Sequence, residues 1–215
     1  MTFPELNNLH AGRPAVILGK GPSLDAWLAA GCPQPEGAVR IGVNQVAVVV
    51  PEVVYSVSGD AQMDMPEHLA LPTQWLRAVP YQRCAGGGLS YGDHLPEKVI
   101  RFHCQPAVPE FSTACLNSTR DEVAALTWLH GAMSSADPAV HLAWYLGCTE
   151  VLLVGIDGGS VRAQVMAGHG DRSGPPSYDQ MRQCVREGAQ QLFPFRWRHW
   201  EPGVPEMVTL EPSAP

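Results

Sequence analysis

The stretch AVILGKGPSLDAW, Ala15 to Trp27, limits what this chain can fold into more than any other. Four apolar residues run into Gly19-Lys20-Gly21-Pro22-Ser23, and a helical pattern follows. A short apolar run between Pro14 and a glycine reads as a buried strand over 14–19. Residues 22–30 read as a short helix. Pro22 suits a first turn whose N–H has no helical partner anyway, and Gly31 suits the end. A turn of this kind offers backbone N–H groups and the Ser23 hydroxyl to a phosphate or a ribose. It matches neither standard phosphate loop. A G-x-G-x-x-G fingerprint needs glycine where Leu24 stands, and G-x-x-x-x-G-K-[ST] is absent. Taken alone, it can equally be a tight turn that binds nothing.

The rest of the chain repeats the alternation. AVRIGVNQVAVVV (38–50) reads as a strand running into a short apolar element, and VVYSVSGD (53–60) as a third strand. Residues 61–98 read as less regular, KVIRFHC (98–104) as a strand, and 105–120 as irregular. DPAVHLAWYLG (137–147) reads as a helix with Asp137 at the N-cap, Pro138 in the first helical position and Gly147 at the end. TEVLLVGID (149–157) reads as a strand, and the Gly-rich stretch 158–177 as a lid or binding loop. YDQMRQCVREGAQQLF (178–193) reads as an amphipathic helix and FRWRHW as a final strand. Strands alternating with helices predict an α/β, Rossmann-like three-layer domain with a mostly parallel sheet. The expected organisation is one domain over 1–205 and a Pro-rich tail over 206–215.

In such sheets ligands bind beyond the carboxyl ends of the strands. The fold therefore collects Gly19-Lys20-Gly21, Asn44-Gln45, Ser58-Gly59-Asp60 and Gly155-Ile156-Asp157 along one edge. Ser134 and Ser135, just before the 137–147 helix, supply small residues and free N–H groups for a second anion or nucleotide contact. The Asn44 carboxamide suits a base edge or a sugar hydroxyl, or it closes a turn. Ser58 and Asp60 carry the same two readings. Asp157 points into the cleft toward a hydroxyl, a metal or a base, or caps a neighbouring helix. His169, flanked by glycines in the lid, is either a general base or an exposed loop residue. His141, inside a helix, reads as a packed or surface histidine.

Composition narrows the partners. A net charge of −7 argues against a nucleic-acid grip, which needs a basic face, yet permits a local positive pocket for a small anion. The six cysteines form no C-x-x-C pair, so a zinc site is not expected and reduced thiols in the cytoplasm are. MTFPELNNLH lacks the pattern of a signal peptide, and no run reaches the roughly 18 apolar residues of a membrane span.

VILGKGPSLD, the strand ending VNQ, and SSADPAVHLAWYLGCTEVLLVGID together resemble the bacterial family 42 sialyltransferases. They also resemble the related 6-hydroxymethylpterin diphosphokinase-like domains of archaea, bacteria and phages. Both have a G-x-G-P-S-L turn after the first strand, then a serine a dozen residues before an LG pair, then a strand ending G-x-D. Here Ser135 lies 12 residues before Gly147. The resemblance spans 14–60 and 130–160. It implies a Rossmann-like, nucleotide-binding transferase, with Gly19, Gly21, Ser23, Asn44, Ser135, Gly155 and Asp157 around the nucleotide. It further implies a lid histidine as base and no essential metal. Lys20 departs from it, standing where the sialyltransferases have asparagine, and His169 follows Asp157 by only 12 residues, closer to the diphosphokinase-like branch.

The leading expectation is a metal-independent, inverting glycosyltransferase with a nucleotide-sugar donor, a hydroxyl acceptor and no further cofactor. Lys20 would steady the leaving phosphate and His169 would take the acceptor's proton, with Asp157 also in the catalytic set. One alternative moves diphosphate from ATP to a pterin-like alcohol, with Mg²⁺ on Asp60, Asp157 and Asp171. Another is a nucleotide-binding module without turnover. Self-association into a homo-oligomer is left open.

Overall fold

The computed structural model describes residues 1–58, 70–79, 99–104, 119–129, 134–158, 161–168, 193, 195–200 and 208–210. Along the chain these form β1 (Pro14–Leu18), α1 (Ser23–Ala29), β2 (Val39–Val43), α2 (Val46–Val49), β3 (Tyr55–Ser58), β4 (Gln74–Val79) and β5 (Val99–Cys104). There follow α3 (Arg120–Leu126), β6 (Trp128–Leu129), α4 (Ala136–Tyr145), β7 (Glu150–Val154), β8 (Arg196–His199) and β9 (Val208–Leu210). Among the described residues the strands make one sheet in the order β6-β5-β4-β3-β2-β1-β7-β8-β9. Every pairing is parallel except β8 with β9. The expected α/β three-layer fold is present.

Strand alternation assigns each side chain to a layer. Ala15 and Ile17 of β1, Val39, Ile41 and Val43 of β2, and Val151 and Leu153 of β7 face α4. Val16, Leu18, Leu152 and Val154 face the opposite layer, where Leu24 and Trp27 of α1 and Val46 and Ala47 of α2 pack. Gly42 lets α2 approach, since a Cβ there would lie 3.1 Å from Val53 and 3.5 Å from the Ala47 nitrogen. The chain walks outward from β1 to β6, then returns through α4 to β7 on the other side of β1. That reversal puts a topological switch point between β1 and β7.

Three expectations change. Within 61–98, read as less regular, Gln74–Val79 forms β4, whose Trp75 and Leu76 are buried on opposite faces of the sheet. Asp137 is not the N-cap of α4. Ser135 takes that position, which puts Asp137 in the second helical position and Pro138 in the third. Asp137 instead accepts the Ser134 N–H at 2.9 Å and ties down the chain entering the helix, while Ser134 Oγ accepts the Ala136 N–H at 3.2 Å. Val208–Leu210, inside the stretch read as a tail, pairs with β8. The expected ends of α1 and α4 hold, because Gly31 and Gly147 adopt φ of +82° and +83°. His141 is packed, fully buried between Trp144 and Phe193. The 178–193 helix lies outside the described residues but for Phe193.

Because α4 is buried almost all round, its last carbonyls need partners. The N-terminal segment supplies them. The amides of Asn8, His10 and Gly12 donate to the carbonyls of Tyr145, Leu146 and Gly147 at 3.0, 2.9 and 2.9 Å, and Phe3 stacks on Tyr145. His10 fastens this segment to β3. Its Nδ1 lies 3.2 Å from Arg13 Nη1 and its Nε2 lies 2.8 Å from the Tyr55 hydroxyl. A guanidinium only donates, so Nδ1 accepts and the ring is neutral with its proton on Nε2. Burial, then the Arg13 charge, hold the His10 pKa below its ordinary 6.5. Burial pushes the Tyr55 hydroxyl up to about 12, so it stays protonated.

The unfolded chain therefore takes up a proton at His10 near pH 6.5, while the folded chain takes it up only at lower pH. This contribution is complete above pH 6.5 and is lost as pH falls from there through the folded-state value. Melting temperatures measured from pH 8 to pH 5 should fall more steeply for the wild type than for His10→Gln. Parallel curves would remove His10 as the cause.

Candidate functional site

The site is built where β1 and β7 end side by side. The Gly19 N–H donates to the Val154 carbonyl at 2.7 Å, and the Gly21 N–H to the Gly155 carbonyl at 2.8 Å. The two turns touch backbone to backbone. A Cβ on Gly19 would come closer than 3.0 Å to the Gly155 oxygen and to Ile156, and one on Gly21 would do the same to Asp157. Gly155, at φ +69°, would press a Cβ against the backbone of Gly19. These glycines are required by close approach, and Gly155 by its left-handed backbone as well.

Two polar side chains lock the contact. Ser23 is fully buried and its Oγ accepts the Gly155 N–H at 2.7 Å. Asp157 Oδ2 accepts the Ser23 N–H at 2.7 Å, so a carboxylate already stands at the start of α1. The Leu24 and Asp25 amides donate to the carbonyls of Gly21 and Pro22. The amides of Gly19, Gly21 and Ser23, expected to receive a phosphate, are thus engaged within the fold. Of the two readings of Asp157, the cap on a neighbouring helix is the one its Oδ2 makes.

What the edge presents beyond this lock is Lys20 and the residues after β2. Lys20 Nζ donates to Gln45 Oε1, and Gln45 is buried while Lys20 is partly exposed. This bond orients the ammonium toward the chain that follows β2. Asn44 adopts φ +55°, a backbone state asparagine tolerates better than most side chains. Its carboxamide oxygen is buried and has no hydrogen-bond partner among the described residues. Ser58 closes β3 with its side chain buried. Ser134 and Ser135 begin α4, whose N-terminus reaches this edge because α4 leads from β6 back to the start of β7. Asp60, His169 and Asp171 lie outside the described residues.

The stretch read as a lid is anchored over the part described. The Ala163 N–H donates to the Lys20 carbonyl at 2.8 Å, and Asp25 accepts the amides of Gln164 and Val165. Ala163 and Met166 are buried against the α1–α2 layer. Residues 161–168 therefore brace the Lys20 turn. Ala163, Met166 and the Asp25 carboxylate anchor this part, and residues 159–160 and 169–177 of the expected lid or binding loop lie outside the described residues. Cys148 is buried, and burial pushes its thiol up to about 11, away from the thiolate form.

No protein-family model matches this chain, and no curated protein does. Among solved structures it is similar to the MAf glycosyltransferase from Magnetospirillum magneticum AMB-1. The identity is 17% and the TM-score 0.40, over 80% of this chain and 29% of that one. The chain spans under a third of that protein's length.

The lock makes a clear stability prediction. Gly155→Ala should cost about 3 kcal/mol or more, from a left-handed residue plus overpacking. Asp157→Ala should cost about 1–2 kcal/mol, the loss of a helix cap. Denaturant titration gives both values, and a Gly155→Ala protein as stable as wild type would contradict the backbone contact.

Proposed function

We propose that this protein is a nucleotide-dependent transferase, a metal-independent glycosyltransferase that uses a nucleotide-sugar donor. One observation carries the reading. At the switch point of a parallel sheet, a lysine ammonium and an asparagine carboxamide follow neighbouring strands, with Lys20 steered by Gln45. A cation beside a carboxamide suits a ligand with a phosphate at one end and a base or sugar at the other.

In this reading Lys20 meets the donor's phosphate and steadies the charge that grows on it as the glycosidic bond breaks. Asn44 meets the base or ribose. Ser134, Ser135 and Ser58 line the same edge, as does Asp60 in the proposal. The glycines Gly19, Gly21 and Gly155, with Ser23 and Asp157, act by holding the turn that carries Lys20. His169 takes the acceptor hydroxyl's proton as the acceptor oxygen attacks the anomeric carbon. The new C–O bond forms as the bond to the nucleotide's phosphate oxygen breaks, which inverts the anomeric centre.

A thermal-shift series with CMP, UDP, GDP, ADP and ATP tests the binding. One base class should raise the melting temperature, since a ligand at 100 times its Kd stabilises by about 2.7 kcal/mol. Lys20→Ala should weaken that ligand about 10- to 100-fold, the worth of a charge-assisted hydrogen bond. With the matching sugar donor, His169→Ala should lower turnover by about 100-fold or more, and EDTA should leave it unchanged. No shift with any nucleotide, or full turnover in both variants, would overturn the reading. Loss of activity in EDTA would favour diphosphate transfer instead.

A further inference from the structure

Ser56 lies in the middle of β3, between Tyr55 and Val57, which face the α4 layer. It faces the other way and is fully buried. A hydroxyl buried in a strand carries a desolvation cost unless it is bonded. Ser56 Oγ donates to the Asn44 carbonyl at 2.7 Å. The Asn44 N–H donates to the Val57 carbonyl at 2.9 Å. β3 therefore grips both backbone polar groups of Asn44.

That grip has a visible consequence. Asn44 is the point where the chain leaves β2, with φ +55°, and two residues later α2 begins. The bond from Ser56 fixes the peptide plane on the far side of Asn44, and with it the direction of the Cα–Cβ bond. The side chain so directed ends in a buried carboxamide oxygen that no described residue satisfies. Buried acceptors are ordinarily paired. An acceptor left open at the C-terminal end of a parallel strand, beside Lys20 and Gln45, suits a partner that arrives with the ligand.

We infer that Ser56 is a positioning residue, which holds Asn44 so that its carboxamide oxygen accepts an N–H or O–H brought by the bound nucleotide. The inference rests on the nucleotide-binding reading above, and it adds a chemical demand. The ligand must present a donor, such as a ribose hydroxyl or an exocyclic amino group, to this oxygen. Ser56 does not touch the ligand. It acts only through Asn44.

A double-mutant cycle on ligand affinity tests this. The probes are CMP, UDP, GDP, ADP and ATP, titrated calorimetrically into the full-length chain. Asn44→Gly removes the carboxamide but keeps the left-handed backbone accessible. Ser56→Ala should weaken the bound nucleotide about tenfold in the wild-type background, the scale of one hydrogen bond. In the Asn44→Gly background it should change the affinity less than about twofold, because the group it positions is gone. A merely structural serine would lower stability while leaving both affinities alone, or would weaken them by equal factors, and either result overturns the role. If Ser56→Ala does not fold, Ser56→Cys enters the same cycle, since a thiol fills the space but donates weakly. Failure of the wild type to bind any of the five nucleotides would remove the nucleotide reading, and the positioning role with it. Normal wild-type binding without coupling would remove the positioning role alone.

Discussion

The contact on which the rest depends is the meeting of the Gly19 and Gly155 turns. Two parallel strands can lie side by side in many proteins, but here their exits also touch, amide to carbonyl, at 2.7 and 2.8 Å. Any Cβ at these positions would have to push β1 away from β7. That displacement would open the centre of the sheet, because β1 and β7 are the seam between its two halves. The Ser23 hydroxyl and the Asp157 carboxylate add the third and fourth bonds across the same seam. Start of helix, end of strand and switch point are thus one structure.

This lock changes the electrostatics of the edge. In many α/β folds a helix N-terminus after the first strand holds a phosphate on its free amides. Here a protein carboxylate occupies that place, and an anion brought to it would meet like charge. In the proposed reading the positive potential for a phosphate comes from a side chain, Lys20, whose ammonium donates to Gln45. A protein with a net charge of −7 can still present such a local positive point, since fields near a surface follow the nearest charges more than the total. In the proposed reading, the departure of Lys20 from the sialyltransferase pattern therefore has a physical counterpart.

Much of the fold was legible because its signals are local. Apolar runs ending in glycine gave β1 and β7, and Gly31 and Gly147 marked helix ends by their left-handed backbone. β4 was hidden because its burial depends on neighbours on both sides, not on a run of its own. α3 carries a signal that reading by apolar period passed over. Thr119 and Glu122 form a reciprocal capping box, visible in sequence as T-x-x-E. Asp137 was misplaced because aspartate is common both at the N-cap and within the first turn, and only geometry separates the two. At the site, the positions along the edge were readable from the strand ends. The direction of each hydrogen bond was not, so neither the capping bond of Asp157 nor the role of Ser56 could be seen.

The polar side chains of this edge divide by where their bonds go. Ser23 and Asp157 bond to backbone amides across the seam, and Ser56 bonds to the carbonyl of Asn44. Each spends a hydrogen bond on fixing main chain. Lys20 and Asn44 are held by their main chain instead. The Lys20 carbonyl is gripped by Ala163, and Asn44 is gripped by β3 on both sides. Their side-chain ends are what the fold delivers to the edge. In the proposed reading this division combines rigidity with recognition, because the groups that orient main chain are not the groups that meet the ligand. It also explains why single residues at the edge are poor guides to function when read from sequence. Serine, aspartate and asparagine serve equally well in either part, and only their partners tell which part each one plays.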